Sequence, residues 1–188
     1  MIKIDLEKHR RRSIRLREYH YRQAGAYFIT VVTHGREMLF GEIAGGGTRL
    51  NELGRIVERA WTDLQKHYLG VQCDQFVDMP NHIHGIIVLG EPTVGAGFKP
   101  APTRRHGLPE IVRALKTFSA RRINEMRHAP GVTVWQRNYY EHIIRGDGEL
   151  LRVHEYILNN PLDWEHDREN SSRLVNAKPT RTVEPWYV

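Results

Sequence analysis

Cysteine is nearly absent from this chain: Cys73 stands alone among 188 residues. An intramolecular disulfide is excluded, and so is a zinc cage built mainly from thiolates. Long apolar runs are missing as well, so no stretch is long enough to span a bilayer as a helix. The N-terminus is charged and has no apolar signal core, which leads to the expectation of a cytoplasmic protein. No Gly-x-x-x-x-Gly-Lys-Ser/Thr loop occurs, so no P-loop phosphate cradle is expected. Acidic residues are outnumbered, 22 against 28 lysines and arginines, for a net charge of +6 with the histidines neutral.

What is present fits a globular protein of one domain with extensions. Hydrophobic residues make up 40% of the chain, mean hydropathy is −0.55, and the length allows a good core. The basic balance, with an isoelectric point near 9.6, points to a polyanionic partner, nucleic acid first. The charge is clustered. Arg10, Arg11, Arg12, Arg15 and Arg17 crowd the N-terminus. Arg104, Arg105, Arg113, Lys116, Arg121, Arg122 and Arg127 form a second zone. Two such clusters in a small domain are read as a phosphate-binding track.

The patterning sets out the order of elements. Residues 1–24 are a basic lead-in. Ala26 to Thr33 is aromatic and β-branched and reads as a strand. The stretch from Phe40 to Thr48 reads as loop, loosened by Gly45-Gly46-Gly47. Asn51 caps a helix carrying Leu53, Ile56, Val57, Ala60, Trp61 and Leu64 at helical spacing. Val71 to Met79 is a second strand, Pro80-Asn81 a tight turn, and His82 to Leu89 a third strand. Residues 91–107, rich in proline and glycine, read as a flexible insertion. A helix from about Pro109 to Arg127 turns Ile111, Val112, Leu115, Phe118 and Ile123 inward and leaves much of the second basic zone outside. Val132 to Gln136 and Tyr139 to Ile144 form a last, broken strand region. Glu149 to Asn160 is a helix stopped by Pro161. Residues 25–165 are taken as the domain and 166–188 as a tail. Strand, helix, strand, strand, helix, strand and one further helix is a ferredoxin-like α+β order with a C-terminal addition.

Chemistry concentrates in Pro80-Asn81-His82-Ile83-His84-Gly85. Successive strand residues face opposite ways, so His82 and His84 share one face and Ile83 takes the other. Two imidazoles side by side on a rigid strand are a ready pair of metal ligands. On the last helix Tyr156 and Asn160 are spaced i, i+4 and share a face. The Asn160 amide oxygen is a candidate third ligand, and mixed nitrogen and oxygen ligation suits Mn²⁺ and tolerates Mg²⁺.

The sequence resembles a known family through these same residues. His82-Ile83-His84 and Tyr156-Ile157-Leu158-Asn159-Asn160-Pro161 look like the motifs of the single-tyrosine HUH transposases, nearest to the REP-associated tyrosine transposases. Arg12-Ser13-Ile14-Arg15-Leu16 with Tyr27-Phe28-Ile29-Thr30 is similar to that group's opening. Trp135-Gln136-Arg137 with Tyr140-Glu141-His142-Ile143-Ile144-Arg145 is similar to its stretch before the tyrosine helix. The resemblance runs from Arg12 to Trp164. It implies that His82, His84 and Asn160 bind a divalent metal and that Tyr156 is the nucleophile. Cleavage and rejoining of single-stranded DNA through a 5′-phosphotyrosine would follow, on a short hairpin with single-stranded flanks, by a monomer or a homodimer. Two other readings stay open: a non-catalytic hairpin-binding protein on the same scaffold, and a metal nuclease that uses water.

Overall fold

The computed structural model describes residues 23–90 and 106–172. Most of the lead-in, nearly all of the insertion and the end of the tail lie outside the described residues.

Four strands form the main sheet: β1 (Gly25–Val32), β4 (Val71–Met79), β5 (His82–Leu89) and β6 (Tyr140–Ile144). Their spatial order is β4-β5-β1-β6, and every neighbouring pair is antiparallel. Two helices join them, α1 (Glu52–His67) and α2 (Leu108–Met126), and α3 (Asp147–Asn159) follows. This is the expected ferredoxin-like split βαβ with an added helix.

Strand alternation divides the core in two. Tyr27, Ile29, Val31, Ile83 and Ile87 face α1 and α2 and bury Trp61, Leu64, Ile111 and Leu115. Phe28, Ile86 and Ile144 face the other way and pack on Val153 and Ile157 of α3. Helix α1 starts where Asn51 accepts from the backbone N–H of Leu53 and Gly54 at 2.9 and 3.0 Å, a capping contact worth about 1 kcal/mol. Among the described residues, no helix is long and apolar enough to cross a membrane.

Three local expectations are corrected. Residues 41–50 are not loop but a hairpin, β2 (Gly41–Ala44) paired with β3 (Gly47–Leu50). Gly45 and Gly46 have φ of 61° and 77°, the pair of positive angles that a tight two-residue turn needs. The glycines taken as loosening the chain instead close a ladder. Phe118 is 55% exposed rather than inward, because the buried stripe of α2 runs through Leu115, Ser119 and Ile123. Val132 to Gln136 forms only an isolated bridge, Thr33 to Trp135, and the strand begins at Tyr140.

Gly85 shows how tightly the helix face is packed. A Cβ there would lie 2.5 Å from the Trp61 ring, which stacks on Phe76 at 4.8 Å between centroids. Gly85→Ala is expected to cost about 2–3 kcal/mol through overpacking and to lower the melting temperature by roughly 4–12 °C, as read by thermal unfolding.

Asp78 is a liability on the same face. It is 4% exposed, and neither carboxylate oxygen has a hydrogen-bond partner. Burial, with repulsion from Glu58 added, pushes its carboxyl well above the usual range. The unfolded chain loses this proton near about pH 4, while the folded chain holds it to higher pH. The group therefore weakens the fold progressively as pH rises from there. Asp78→Asn is expected to raise the melting temperature at neutral pH, with the gain fading as pH falls toward about 4.

Candidate metal and tyrosine site

His82 and His84 lie on the α3 side of the sheet, at 0% and 3% exposure. Their Nε2 atoms are 3.0 Å apart. Two cis ligands, each about 2.1 Å from a shared octahedral cation, would stand about 3.0 Å apart. Burial lowers the pKa of both rings, well below the usual value for His84. Both are therefore neutral at physiological pH, as ligands must be.

The other ring nitrogens are held by the protein. His82 Nδ1 is 2.9 Å from Asn81 Oδ1. The Asn81 amide nitrogen donates to the carbonyls of Glu169 and Arg36 at 2.7 and 3.2 Å. That leaves its oxygen to accept, so His82 Nδ1 carries the proton and Nε2 the lone pair. His84 Nδ1 is 2.9 Å from the Thr30 hydroxyl, which can donate or accept. If His84 Nδ1 donates to Thr30, both Nε2 lone pairs converge on one point, as a shared cation requires.

Oxygen donors come from the end of α3 and the chain beyond it. Asn160 caps α3 and is 3% exposed. Its Oδ1 is buried with no hydrogen-bond partner, and its amide nitrogen donates to Asp167 Oδ2 at 3.3 Å. A 3₁₀ turn at Trp164–His166 brings the chain back and sets Asp167 Oδ2 3.9 Å from His82 Nε2. One ligand atom each from His82, His84 and Asp167 lies within 4.8 Å of the others. Two neutral imidazoles, a buried carboxylate and an unpartnered amide oxygen make a donor set that fits Mn²⁺ or Mg²⁺.

Asp167 was not among the residues singled out from the sequence. It lies past the proline that stops α3, where no periodicity predicts a chain reversal. The domain body therefore extends beyond residue 165, through Asp167, Glu169 and Asn170, all buried.

Tyr156 is half-buried on α3, its ring 5.2 Å from His84 and 5.8 Å from Phe28 between centroids. Two His–carboxylate pairs fasten α3 across the sheet. Glu149 meets His142 of β6 at 2.7 Å, and His154 meets Asp74 of β4 at 2.9 Å. The two pairs join α3 to both edge strands.

The basic residues divide differently. Arg10, Arg11, Arg12, Arg15, Arg17, Arg104 and Arg105 lie outside the described residues. Arg113, Lys116, Arg121 and Arg122 sit on α2, across the sheet from the histidines. Arg121 pairs with Glu125 at 2.9 Å, and Arg122 is 4.0 Å from Asp63. The Lys116 ammonium donates to the carbonyls of Gln136 and Arg137 at 2.5 and 2.9 Å. Burial brings its pKa down to about 8. Arg113, Lys116 and Arg137 line a groove with Val112, Trp135 and Tyr139.

A solved structure of a REP-associated tyrosine transposase bound to a REP hairpin superposes on 81% of this chain and 74% of its own, with a TM-score of 0.56 and 19% identity. The fold is that of a REP-associated tyrosine transposase. A Haemophilus influenzae protein provisionally named for the same transposases is 23% identical over 142 residues, 76% of this chain and 73% of its own. An uncharacterized protein of Haemophilus influenzae is 43% identical over 172 residues, 85% of this chain and 93% of its own. That protein and this one belong to one family. No established protein-family signature matches the chain. The resemblance to the transposases thus holds both in sequence and in the transposase fold.

Proposed function

We propose that this protein cleaves and rejoins single-stranded DNA beside a hairpin, using Tyr156 as the nucleophile. The observation that carries the reading is convergence: His82, His84, Asn160, Asp167 and Tyr156 come from three separate segments to one face of the sheet. A divalent cation held by His82, His84, Asn160 and Asp167 would polarise the scissile phosphodiester and offset its charge.

The remaining steps belong to the chain. The Tyr156 hydroxyl attacks phosphorus, a P–O bond to tyrosine forms, and the bond to the 3′-oxygen breaks. The tyrosine proton is lost, and the departing oxygen gains one to become a free 3′-hydroxyl. The 5′-phosphotyrosine keeps the phosphodiester energy, so attack by a 3′-hydroxyl reverses the step onto the same or another strand without ATP. The Tyr156 ring packs against the neighbouring rings of Phe28 and His84, which limits where its hydroxyl points. Because His84 and Tyr156 meet within one chain, the site supports action in cis by a monomer.

The hairpin substrate is carried over from the bound structure of the similar transposase. The test is a denaturing gel of end-labelled hairpin DNA with single-stranded flanks, with Mn²⁺ or Mg²⁺ and with EDTA. A protease-sensitive protein–DNA adduct formed only with metal supports the reading. Cleavage without an adduct transfers it to a water-using nuclease, and hairpin binding without cleavage to a binding protein.

A further inference from the structure

Next to the histidines a buried carboxylate holds two arginines. Glu169 is 6% exposed. Its Oε2 accepts from Arg36 Nε at 2.9 Å and its Oε1 from Arg168 Nε at 3.1 Å. The side chains of Arg36 and Arg168 are 39% and 52% exposed, so the guanidiniums ride at the rim. The Arg168 guanidinium lies 5.6 Å from the centre of the Tyr140 ring. Both charges reach His82, and that of Arg168 reaches His84 as well.

Arg36 is held with unusual care. Its φ is 56°, a strained value for a residue with a Cβ. Its carbonyl accepts from Asn81 Nδ2 at 3.2 Å and from the Ser171 hydroxyl at 3.4 Å. The turn that carries it is thus tied to the residue that orients His82.

A role as a fold staple alone explains little of this. Half-exposed ion pairs contribute about 0–1 kcal/mol, and burying Glu169 works against them. The segment is already fastened by uncharged donors: Asn81 Nδ2 to the Glu169 carbonyl at 2.7 Å, the Glu169 N–H to Asp167 Oδ1 at 2.6 Å, and Asn170 Nδ2 to the Trp164 carbonyl at 2.9 Å. Two planar cations pre-oriented at the rim of a phosphodiester-cleaving site match what a DNA backbone presents.

We propose that Arg36 and Arg168 are the phosphodiester-binding pair of this site, held in position by Glu169, which competes with the DNA for their charge. The proposal rests on the DNA-cleaving reading above and assigns its substrate contacts to residues outside both basic clusters.

The test uses Arg36→Gln, Arg168→Gln and Glu169→Gln in the full chain, since glutamine keeps a polar group toward its partner. Binding of a flanked hairpin is measured by fluorescence anisotropy across a salt series. Cleavage rates are measured with Mn²⁺, and Mn²⁺ binding alone by calorimetry. Each arginine variant is expected to reduce the salt slope by about 0.7–1 and to slow cleavage by about 100-fold, with Mn²⁺ affinity unchanged. Glu169→Gln is expected to tighten flank binding several-fold, which a purely structural carboxylate would not do. Unchanged slopes and rates in the arginine variants overturn the proposal while the parent reading stands. Loss of Mn²⁺ binding in those variants also overturns it, since they would then be supporting the metal ligands. A wild-type protein that neither binds nor cleaves the DNA removes both readings together.

Discussion

Tyr156→Phe is expected to abolish the covalent protein–DNA adduct and to lower strand cleavage by about 10⁴-fold or more, the order lost when an enzyme's nucleophile is removed. The substitution deletes one oxygen and keeps the ring. The contacts to Phe28 and His84, at 5.8 and 5.2 Å between centroids, persist, and α3 keeps its buried Val153 and Ile157. Folding and hairpin affinity should therefore match the wild type, and only covalent chemistry should disappear. The readout is the labelled adduct on a denaturing gel beside an anisotropy titration of the same DNA. An adduct of undiminished yield in Tyr156→Phe would assign the nucleophile to another tyrosine. Tyr140, 6.4 Å from Phe28 between ring centroids, would be the first to test.

The second large effect is thermal. A cation that binds only the folded site at about 100 times its Kd stabilises the protein by about 2.7 kcal/mol, which raises the melting temperature by roughly 5–10 °C. His84→Ala is expected to remove that shift and to abolish metal-dependent cleavage. It also opens a space beside Phe28, whose ring lies 5.3 Å from that of His84, so the variant melts lower to begin with. Comparing each protein with and without Mn²⁺ cancels this cost. Asp167→Asn should keep part of the shift, because it removes charge but leaves an oxygen donor. A full Mn²⁺ shift in His84→Ala would put the cation somewhere other than between the histidines.

Particular residues explain what was legible in advance. His82 and His84 could be paired from the sequence because strand alternation is a local geometric rule. Tyr156 and Asn160 could be paired because helical spacing is equally local. The ferredoxin-like order followed from elements whose apolar periods are strong, as in α1 and β5. The hairpin at 41–50 was hidden because its strands are short and its two central glycines signal a loop as well as a turn. Phe118 was misplaced because a residue one position off the buried stripe is indistinguishable in type from one on it.

The sequence by itself determined the strand that carries the imidazoles, the helix that carries the tyrosine, and the basic character of the chain. Those features depend on neighbours within a few positions, and short-range sterics and periodicity dictate them. Only the tertiary structure decided which side of the sheet each element occupies. That put the arginines of α2 across the sheet from the histidines and set Arg36 and Arg168 beside them. It also brought Asp167 back to His82 and made Asn81 the residue that orients that ring. These contacts join segments dozens of residues apart through the burial of two separate apolar cores, and no local pattern encodes where such segments meet.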